Sequence, residues 1–461
     1  MKIATKGRFT FPGGTHPPES KELTRESEIQ PGPAAGEVAI MLSQHIGAAC
    51  QPLVRKGNIV QAGQKIGDCD AFTSAPVHSS INGKVKDIAL QSHAVLGRSL
   101  AVIIEAHRYM PTKRQLPKSQ DVFQSGFDVA RYSSGQICND VREAGIVGMG
   151  GAGFPTRVKI EPNPRLPKEI MIINGCECEP YITCDYRIML EWTNQIIAGI
   201  KLAAKASGCS KVFIAIEDNK PEAIEVMNRA LETSESKNEI KVVAVRTKYP
   251  QGGERQLINA ILKKNVPTGG IPPMIGVLVL NVATVAAIAE AVVCDAPLTH
   301  RVVTVTGEAI SNPGNYYVPI GMSVASLIEF CGGVTKKSAK VVLGGPMMGI
   351  AIADLTTPIT KTTGAITVLT KEQIGKAKFA RRQTPCIRCG ECLEVCPEHL
   401  NPTKIAHAVK NNLLDIAESY YMSACIECGC CSYVCPANIE LTGYIKTGKT
   451  LIARQKKKMP E

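Results

Sequence analysis

Residues 384–397 read T-P-C-I-R-C-G-E-C-L-E-V-C-P, and residues 424–436 read A-C-I-E-C-G-C-C-S-Y-V-C-P. Each is a C-x2-C-x2-C-x3-C-P run, the spacing of thiolate ligands for a [4Fe–4S] cubane. The first three cysteines lie on one tight loop that wraps a corner of the cubane. The fourth, on a short helical turn before proline, points away from that loop. Where two such runs occur together, the fourth cysteine serves the other cluster. The expected ligands are therefore Cys386, Cys389, Cys392 and Cys435 for one cluster, and Cys425, Cys428, Cys431 and Cys396 for the other. Crossing of this kind keeps the two clusters close enough for rapid one-electron exchange. Cys430 is an additional thiol in the second run, and register favours Cys431 as the ligand. A pair of zinc knuckles is the competing reading, but zinc needs neither a third cysteine nor the following proline. Between the runs, 401–422 is helical in pattern and would hold the two loops in an α-hairpin.

Beyond the second run, 443–450 matches G-x4-G-K-[ST] literally. A working phosphate loop needs a buried strand before it and an amphipathic helix after it. Here the tail of a cysteine run precedes it, so the match reads as coincidence on a lysine-rich helix. Lys446, Lys449, Arg454, Lys456, Lys457 and Lys458 gather much of the formal charge of +12 at this end. A solvated helix and tail would explain them, as would a foothold on an anionic membrane surface or acidic partner.

At 461 residues the chain exceeds one ordinary core, and roughly three domains are expected. Hydrophobic content of 44% with 20% charged residues is that of a globular protein. An aromatic content of 5%, with Trp192 the single tryptophan, argues against a nucleic-acid binder built on stacked rings. The start, 1–7, leads into polar, Pro/Gly-rich sequence rather than a secretory pattern. The eighteen cysteines should then be reduced, and candidates for metal before disulfides. The most apolar stretch, 276–293, contains Asn281, Thr284 and Glu290 and reads as a buried strand followed by a helix, not a membrane span. A cytoplasmic chain with peripheral membrane association is expected.

Upstream, 145–159 reads G-I-V-G-M-G-G-A-G-F-P-T-R-V-K. Gly148, Gly150, Gly151 and Gly153 leave a backbone that a ligand can approach closely and that can aim successive N–H groups at one anion. The loop precedes the expected strand at 170–174, so it is not a standard dinucleotide fingerprint. Three further loops follow expected strands: N-G-C-E-C-E-P at 174–180, Y-P-Q-G-G-E-R at 249–255, and N-V-A-T at 281–284. They could converge with the glycine loop on one nucleotide-sized site at the carboxyl edge of a sheet.

G-x-G-G-A-G-F-P-T with Lys159, then N-x-x-E-x-E-P, then N-V-x-T, resembles the flavin- and NADH-binding subunit of respiratory complex I. Together with the two cysteine runs, and with F-P-G-G-T-H-P-P at 11–18, essentially the whole chain resembles the RnfC family, the C subunits of Rnf complexes, which are ion-translocating ferredoxin:NAD oxidoreductases. The resemblance implies a noncovalent FMN held by Gly148, Gly150, Gly151, Gly153, Lys159, Asn174, Glu254, Asn281 and Thr284. It also implies that Phe154 and Glu177 or Glu179 face NAD(H). Two departures stand out. The complex I protein holds its cluster on a different, single motif, and Cys176 and Cys178 replace the Asp and Ser usual between Asn174 and Glu179. Cys176, Cys178 and Cys184 read as buried thiols, with a further metal site as the alternative.

The expected architecture is multidomain, α/β and α+β. An N-terminal extension (1–35) leads to a barrel-sandwich module (36–110) resembling biotinyl and lipoyl carriers. Its hairpin tip, C-D-A-F-T-S at 69–74, lacks the modifiable lysine, which leaves a scaffold or docking role. His78 and His93 read as surface or packing residues. A Rossmann-like FMN/NADH domain (125–300), a β-grasp domain of the soluble ligand-binding type (301–350), a double [4Fe–4S] ferredoxin-type domain (375–440) and a basic tail (441–461) complete the chain. The family resemblance implies electron transfer between NAD(H), FMN and the clusters, with partner subunits in the membrane doing the ion pumping and ferredoxin engaged indirectly. A corrin reductase of the propanediol-utilisation type, with the same flavin and cluster modules, is the alternative.

Overall fold

Four short apolar runs, alternating with helices, build the sheet on which the central domain rests. In the computed structural model, which describes residues 7–107, 120–123, 127–232, 239–376 and 383–458, these runs are Ile170–Gly175, Lys211–Glu217, Glu239–Val245 and Val277–Asn281. They lie in the order third, second, first, fourth, and every pairing is parallel. Met171, Ile172, Ile173, Val212 and Ile214 are fully buried, as a parallel sheet covered on both faces requires. The chain order reverses between Ile170–Gly175 and Val277–Asn281. Crossovers on either side of such a switch point leave on opposite faces and open a crevice at the carboxyl ends of the two strands.

Helix Val282–Cys294 begins at that crevice because Asn281 caps it, its Oδ1 accepting from the N–H groups of Ala283 (2.9 Å) and Thr284 (3.3 Å). The helix is apolar apart from Thr284 and Glu290 and is buried against Thr193–Ser207. Gly199 lets the two backbones meet, since a Cβ there would lie 1.8 Å from the Val285 carbonyl oxygen.

Before this domain, two small antiparallel sheets form the barrel sandwich. One joins Glu37–Met41, Gly97–Ala106, Gly83–His93 and Ile59–Val60; the other joins Gln51–Pro52, Lys65–Asp68 and Val77–His78. Ile40, Ile66, Val77, Val85, Val102 and Ile104 fill the space between. Phe72 stands exposed at the tip. His78 is buried, and desolvation holds its imidazole down at about 3, so it packs as a neutral ring. His93 bonds the Ser43 carbonyl.

After it, a six-stranded sheet runs Ile29–Pro31, Gly314–Pro319, His300–Thr306, Ala365–Thr370, Ser338–Leu343, Ile350–Ile352. Helix Val324–Phe330 supplies Val324, Leu327 and Ile328 to its core. This sheet draws on chain at both ends of 301–350. Ala365–Thr370 returns to the centre, parallel to His300–Thr306, and Ile29–Pro31 adds an edge strand from the N-terminal extension.

The C-terminal unit packs helices Pro402–Lys410, Leu414–Ser419 and Leu441–Lys458 around Ile405, Ala417, Met422 and Ile445. The literal G-x4-G-K-T match lies inside Leu441–Lys458. Its Gly448 sits against Val409 and Met422, and Lys449 bonds the Cys425 carbonyl (2.9 Å) and Glu427 (2.7 Å). Residues 1–6 and the side chains of Lys456, Lys457 and Lys458 lie outside the described residues. No described helix is long and apolar enough to cross a membrane.

Candidate functional site

At the switch point Asn174 and Asn281 stand in register on neighbouring strands. Asn174 donates through Nδ2 to the Gly252 carbonyl (2.8 Å) and accepts from the Cys176 N–H (3.2 Å), which ties the strand end to the 249–253 loop. Asn281 donates through Nδ2 to Asp185 (2.6 Å) while its Oδ1 caps the helix. The glycine loop closes over this pair. Its Met149 N–H donates to Thr284 Oγ1 at 2.9 Å, and Gly148 N–H donates to the Phe154 carbonyl. Gly150 lies so close to Asn281 that a Cβ would come 2.6 Å from its amide nitrogen, whereas Gly151 faces open space. Lys159 reaches the same edge, with Nζ 2.8 Å from Glu254 and 3.2 Å from the Val279 carbonyl. Thus the glycine loop, Lys159, Asn174, Glu254, Asn281 and Thr284 come together at the crevice.

Glu177 and Glu179 are held differently. The Glu177 carboxylate accepts from the Asp185 (2.6 Å) and Tyr186 (3.4 Å) N–H groups at the start of helix Cys184–Glu191, with Lys21 Nζ 3.9 Å away. Glu179 accepts from the N–H groups of Met347 (3.2 Å) and Met348 (2.7 Å), in a turn of the β-grasp unit. Burial pushes each carboxyl up to about 7; Lys21 pulls Glu177 back, and the two N–H donors pull back Glu179. Phe154 is half-buried beside the glycine loop. Cys176 and Cys178 do not group with Cys184. Cys176 faces the Ala215 carbonyl, Cys178 accepts from the Gly252 N–H, and burial raises the thiols. Glu177, Cys184 and Asp185 bring potential ligand atoms within 4.8 Å of one another, but N–H donors, Asn281 and Lys21 already engage the two carboxylates.

Three further residues complete this edge. Lys21, from the N-terminal extension, donates to the carbonyls of Glu177, Glu179 and Ile182 and holds the 177–182 turn. Arg301, almost fully buried, reaches the Met149 carbonyl. Gln251, inside the Y-P-Q-G-G-E-R loop, is fully buried with neither amide atom partnered among the described residues. A buried amide left open next to Gly252, which Asn174 bonds, is the donor and acceptor set that a planar heteroaromatic ligand needs. The residues at this crevice therefore fit a flavin mononucleotide.

The cysteine runs fold as two copies of one motif. Cys386 and Cys425 accept from the N–H groups of Arg388 (3.4 Å) and Glu427 (3.3 Å), residues that share a left-handed φ of 59°. Cys396 and Cys435 accept from Leu400 (3.3 Å) and Ile439 (3.4 Å), and Cys392 and Cys431 meet the hydroxyls of Thr403 (2.9 Å) and Thr442 (3.5 Å). In this repeat Cys431 matches Cys392, and Cys430 matches Glu391. The fourth thiol of each run sits with the other run. Cys396 lines one cavity with Cys425, Cys428 and Cys431, and Cys435 lies within electrostatic reach of Cys392. Four thiolates hold such a cluster and N–H groups aimed at sulfur tune it, so these residues fit two [4Fe–4S] groups. The two sets differ in setting: Cys386 and Cys389 are exposed, whereas Cys396, Cys428 and Cys431 are buried.

Four family models match along the chain: an RnfC barrel sandwich hybrid domain (9–108), a Nuo51 FMN-binding domain (141–290), an SLBB domain (302–351) and a 4Fe-4S dicluster domain (382–439). The C subunit of the proton-translocating ferredoxin:NAD(+) oxidoreductase complex of Clostridium ljungdahlii is 42% identical, over 89% of this chain and 87% of that one. The Na(+)-translocating counterpart of Acetobacterium woodii is 41% identical over 89% of each. Among solved structures, an NAD+-reducing [NiFe]-hydrogenase in the H2-reduced state shares the fold, with a TM-score of 0.51 at 19% identity over 74% of this chain and 65% of that one.

Proposed function

This chain belongs to the RnfC family, the C subunits of ion-translocating ferredoxin:NAD(+) oxidoreductase complexes, and we propose that its switch-point crevice is the FMN site and its C-terminal repeat the exit for single electrons. As a member it is an electron-transfer subunit of an oxidoreductase, with FMN, two [4Fe–4S] clusters and NAD(H) as its redox groups. Bound FMN supplies conversion between the electron pair of a nicotinamide and the single electrons that a [4Fe–4S] cluster takes.

The register pairing of Asn174 with Asn281 under the glycine loop carries this reading, because it puts the loop, Lys159, Glu254 and Thr284 at one sheet edge. Successive N–H groups of the loop stabilise a phosphate, Lys159 adds a positive charge, and Gln251 offers an amide to the ring. Phe154 flanks the loop and supplies an apolar wall for the nicotinamide. Glu177 and Glu179 serve this site from behind, by fixing the 177–182 turn through their own hydrogen bonds. In the cluster unit, Cys396, Cys425, Cys428 and Cys431 form the inner set, packed on the nucleotide domain. Cys386, Cys389, Cys392 and Cys435 form the outer set, which faces a partner through the exposed Cys386 and Cys389.

We assign the domains their roles by their order: barrel sandwich (36–110) as scaffold, nucleotide domain (125–300), β-grasp domain (301–350, with the added strands) and cluster domain (375–440). Other subunits of the complex are partners of this chain, and we assign the membrane-spanning part to them. We place the chain at the cytoplasmic face, with NAD(H) bound directly and ferredoxin reached through those subunits. The names of the relatives do not favour the corrin reductase alternative. Anaerobically purified protein should contain about eight irons and one FMN per chain, and should oxidise NADH with a dye acceptor. Protein free of flavin, or unable to use NADH, would sink this function.

A further inference from the structure

The segment F-P-G-G-T at 11–15 is distinctive in sequence, and the nucleotide and cluster chemistry leaves it unexplained. In the fold it is a strap between the nucleotide loop and the inner cysteine set. Gly14 N–H donates to the Val395 carbonyl at 2.8 Å, and Thr15 exchanges two backbone hydrogen bonds with Tyr249 (2.8 and 2.9 Å). Gly13 and Gly14 have φ of 78° and 80°, and Cβ atoms on them would come 3.0 Å from the Cys396 carbonyl oxygen and 2.6 Å from that of Tyr249. Only glycine lets the strap thread this gap.

Tyr249 is the residue the strap grips. It is 1% exposed, and its phenol donates to the Cys428 carbonyl at 2.7 Å. Its own carbonyl oxygen lies 3.8 Å from the Cys430 thiol, which donates to it. Cys430, fully buried, is the extra cysteine of the second run, and the repeat leaves it out of the ligand set. Two positions after Tyr249 comes Gln251, and then Gly252, whose carbonyl accepts from Asn174 and whose N–H donates to Cys178. One short loop thus bonds the flavin crevice at one end and the backbone of the inner cysteine set at the other.

We propose that Tyr249, gripped by the 11–15 strap and the Cys430 thiol, is a positioning residue that fixes the separation between the nucleotide crevice and the Cys396/Cys425/Cys428/Cys431 set. This rests on the reading of those two sites as the FMN and inner-cluster sites. Electron transfer falls off exponentially with distance, and the potential of a cluster follows the hydrogen bonds around its sulfurs. The Tyr249 phenol, bonded to the Cys428 carbonyl and not to its sulfur, fixes the separation directly and reaches the potential through the dipole of that peptide.

The test uses the full chain, purified anaerobically, as wild type and as Tyr249→Phe, Cys430→Ala and Cys430→Ser. Each is assayed for iron and flavin, for the EPR spectrum of the reduced inner cluster, and for the rate at which NADH reduces the clusters. That rate is taken relative to the same variant's NADH:dye rate, so any effect at the flavin cancels. Tyr249→Phe should keep about eight irons and its flavin, shift the inner-cluster signal, and slow relative cluster reduction by about tenfold. Cys430→Ser should retain the wild-type signal better than Cys430→Ala. An unchanged signal and relative rate in Tyr249→Phe overturns the positioning role, as does loss of about four irons, which would make Tyr249 an assembly residue. Wild-type protein without flavin and clusters would overturn the underlying site reading as well.

Discussion

Cys396 stands with the three thiols of the run it does not belong to, and Cys435 lies within electrostatic reach of Cys392 in the other run, so loss of either should be felt at a distance along the chain. Cys396→Ala should reduce iron from about eight to about four per chain, and the EPR signal that disappears should be the one lost in Cys425→Ala. If Cys396→Ala instead removed the signal lost in Cys386→Ala, the crossed assignment would be wrong. Asn281 is the corresponding single point in the crevice. Its side chain caps helix Val282–Cys294 and holds Asp185. Asn281→Ala should therefore cost about 1–2 kcal/mol of stability and lower the FMN retained through gel filtration. A variant with wild-type melting and full flavin content would remove Asn281 from the site. These residues could be read in the sequence because their signals are local. A cysteine run has its ligand spacing in a dozen residues, and an asparagine that ends an apolar strand and opens a helix shows both elements around it.

Glu179 shows where elements defeat local reading. Its place in N-G-C-E-C-E-P points to the NAD(H) side of the site, and in the fold its carboxylate also accepts from Met347 and Met348 of a turn in another domain. Nothing near position 179 announces a partner so far along the chain. The same reason hid Lys21, whose three carbonyl acceptors belong to the 177–182 turn, and the strand Ala365–Thr370, which reaches the centre of the β-grasp sheet only after a long connection. Three strands of the parallel sheet are legible from the loops that follow them, whereas Lys211–Glu217, the strand between two of them, carries no loop motif and enters only with the fold. Docking of the turn has a pH consequence. The Glu179 carboxyl is raised from 4.5 to about 7, so between those values the folded chain holds more protons than the unfolded one. Stability from this group is full below about pH 4.5 and declines as pH rises towards 7. Glu179→Gln removes that titration. Its melting temperature should fall less than that of the wild type between pH 5 and 7, about 1–3 kcal/mol being at stake. Equal slopes for the two proteins would show that the carboxylate is ionised throughout.

At the scale of the molecule, Lys361 is where the units meet. It is 1% exposed, lies beyond the expected β-grasp span, and donates through Nζ to Pro76 of the barrel sandwich (2.7 Å) and Gly145 of the nucleotide domain (2.6 Å). Its backbone N–H donates to Gln44 at 2.9 Å, and its carbonyl accepts from Arg301, which also reaches the glycine loop at Met149. Gly145, with φ of 67°, allows the approach, since a Cβ would come 2.7 Å from Nζ. One buried ammonium thus fixes the scaffold to the root of the glycine loop. Lys361→Met leaves two carbonyls without their donor and should destabilise the chain by about 2–4 kcal/mol. The pH profile separates this from simple packing loss. Burial lowers the Lys361 ammonium from 10.5 to about 8, so between those values the unfolded chain holds the extra proton. Stability from this group is full above about pH 10.5 and is lost as pH falls through 8. Wild-type stability should therefore rise relative to Lys361→Met between pH 8 and 10, read as the difference in denaturation midpoints of the two proteins. A difference that stays flat across that range would mean that the ammonium keeps its proton in both states, and that the three units are joined by the charged form alone.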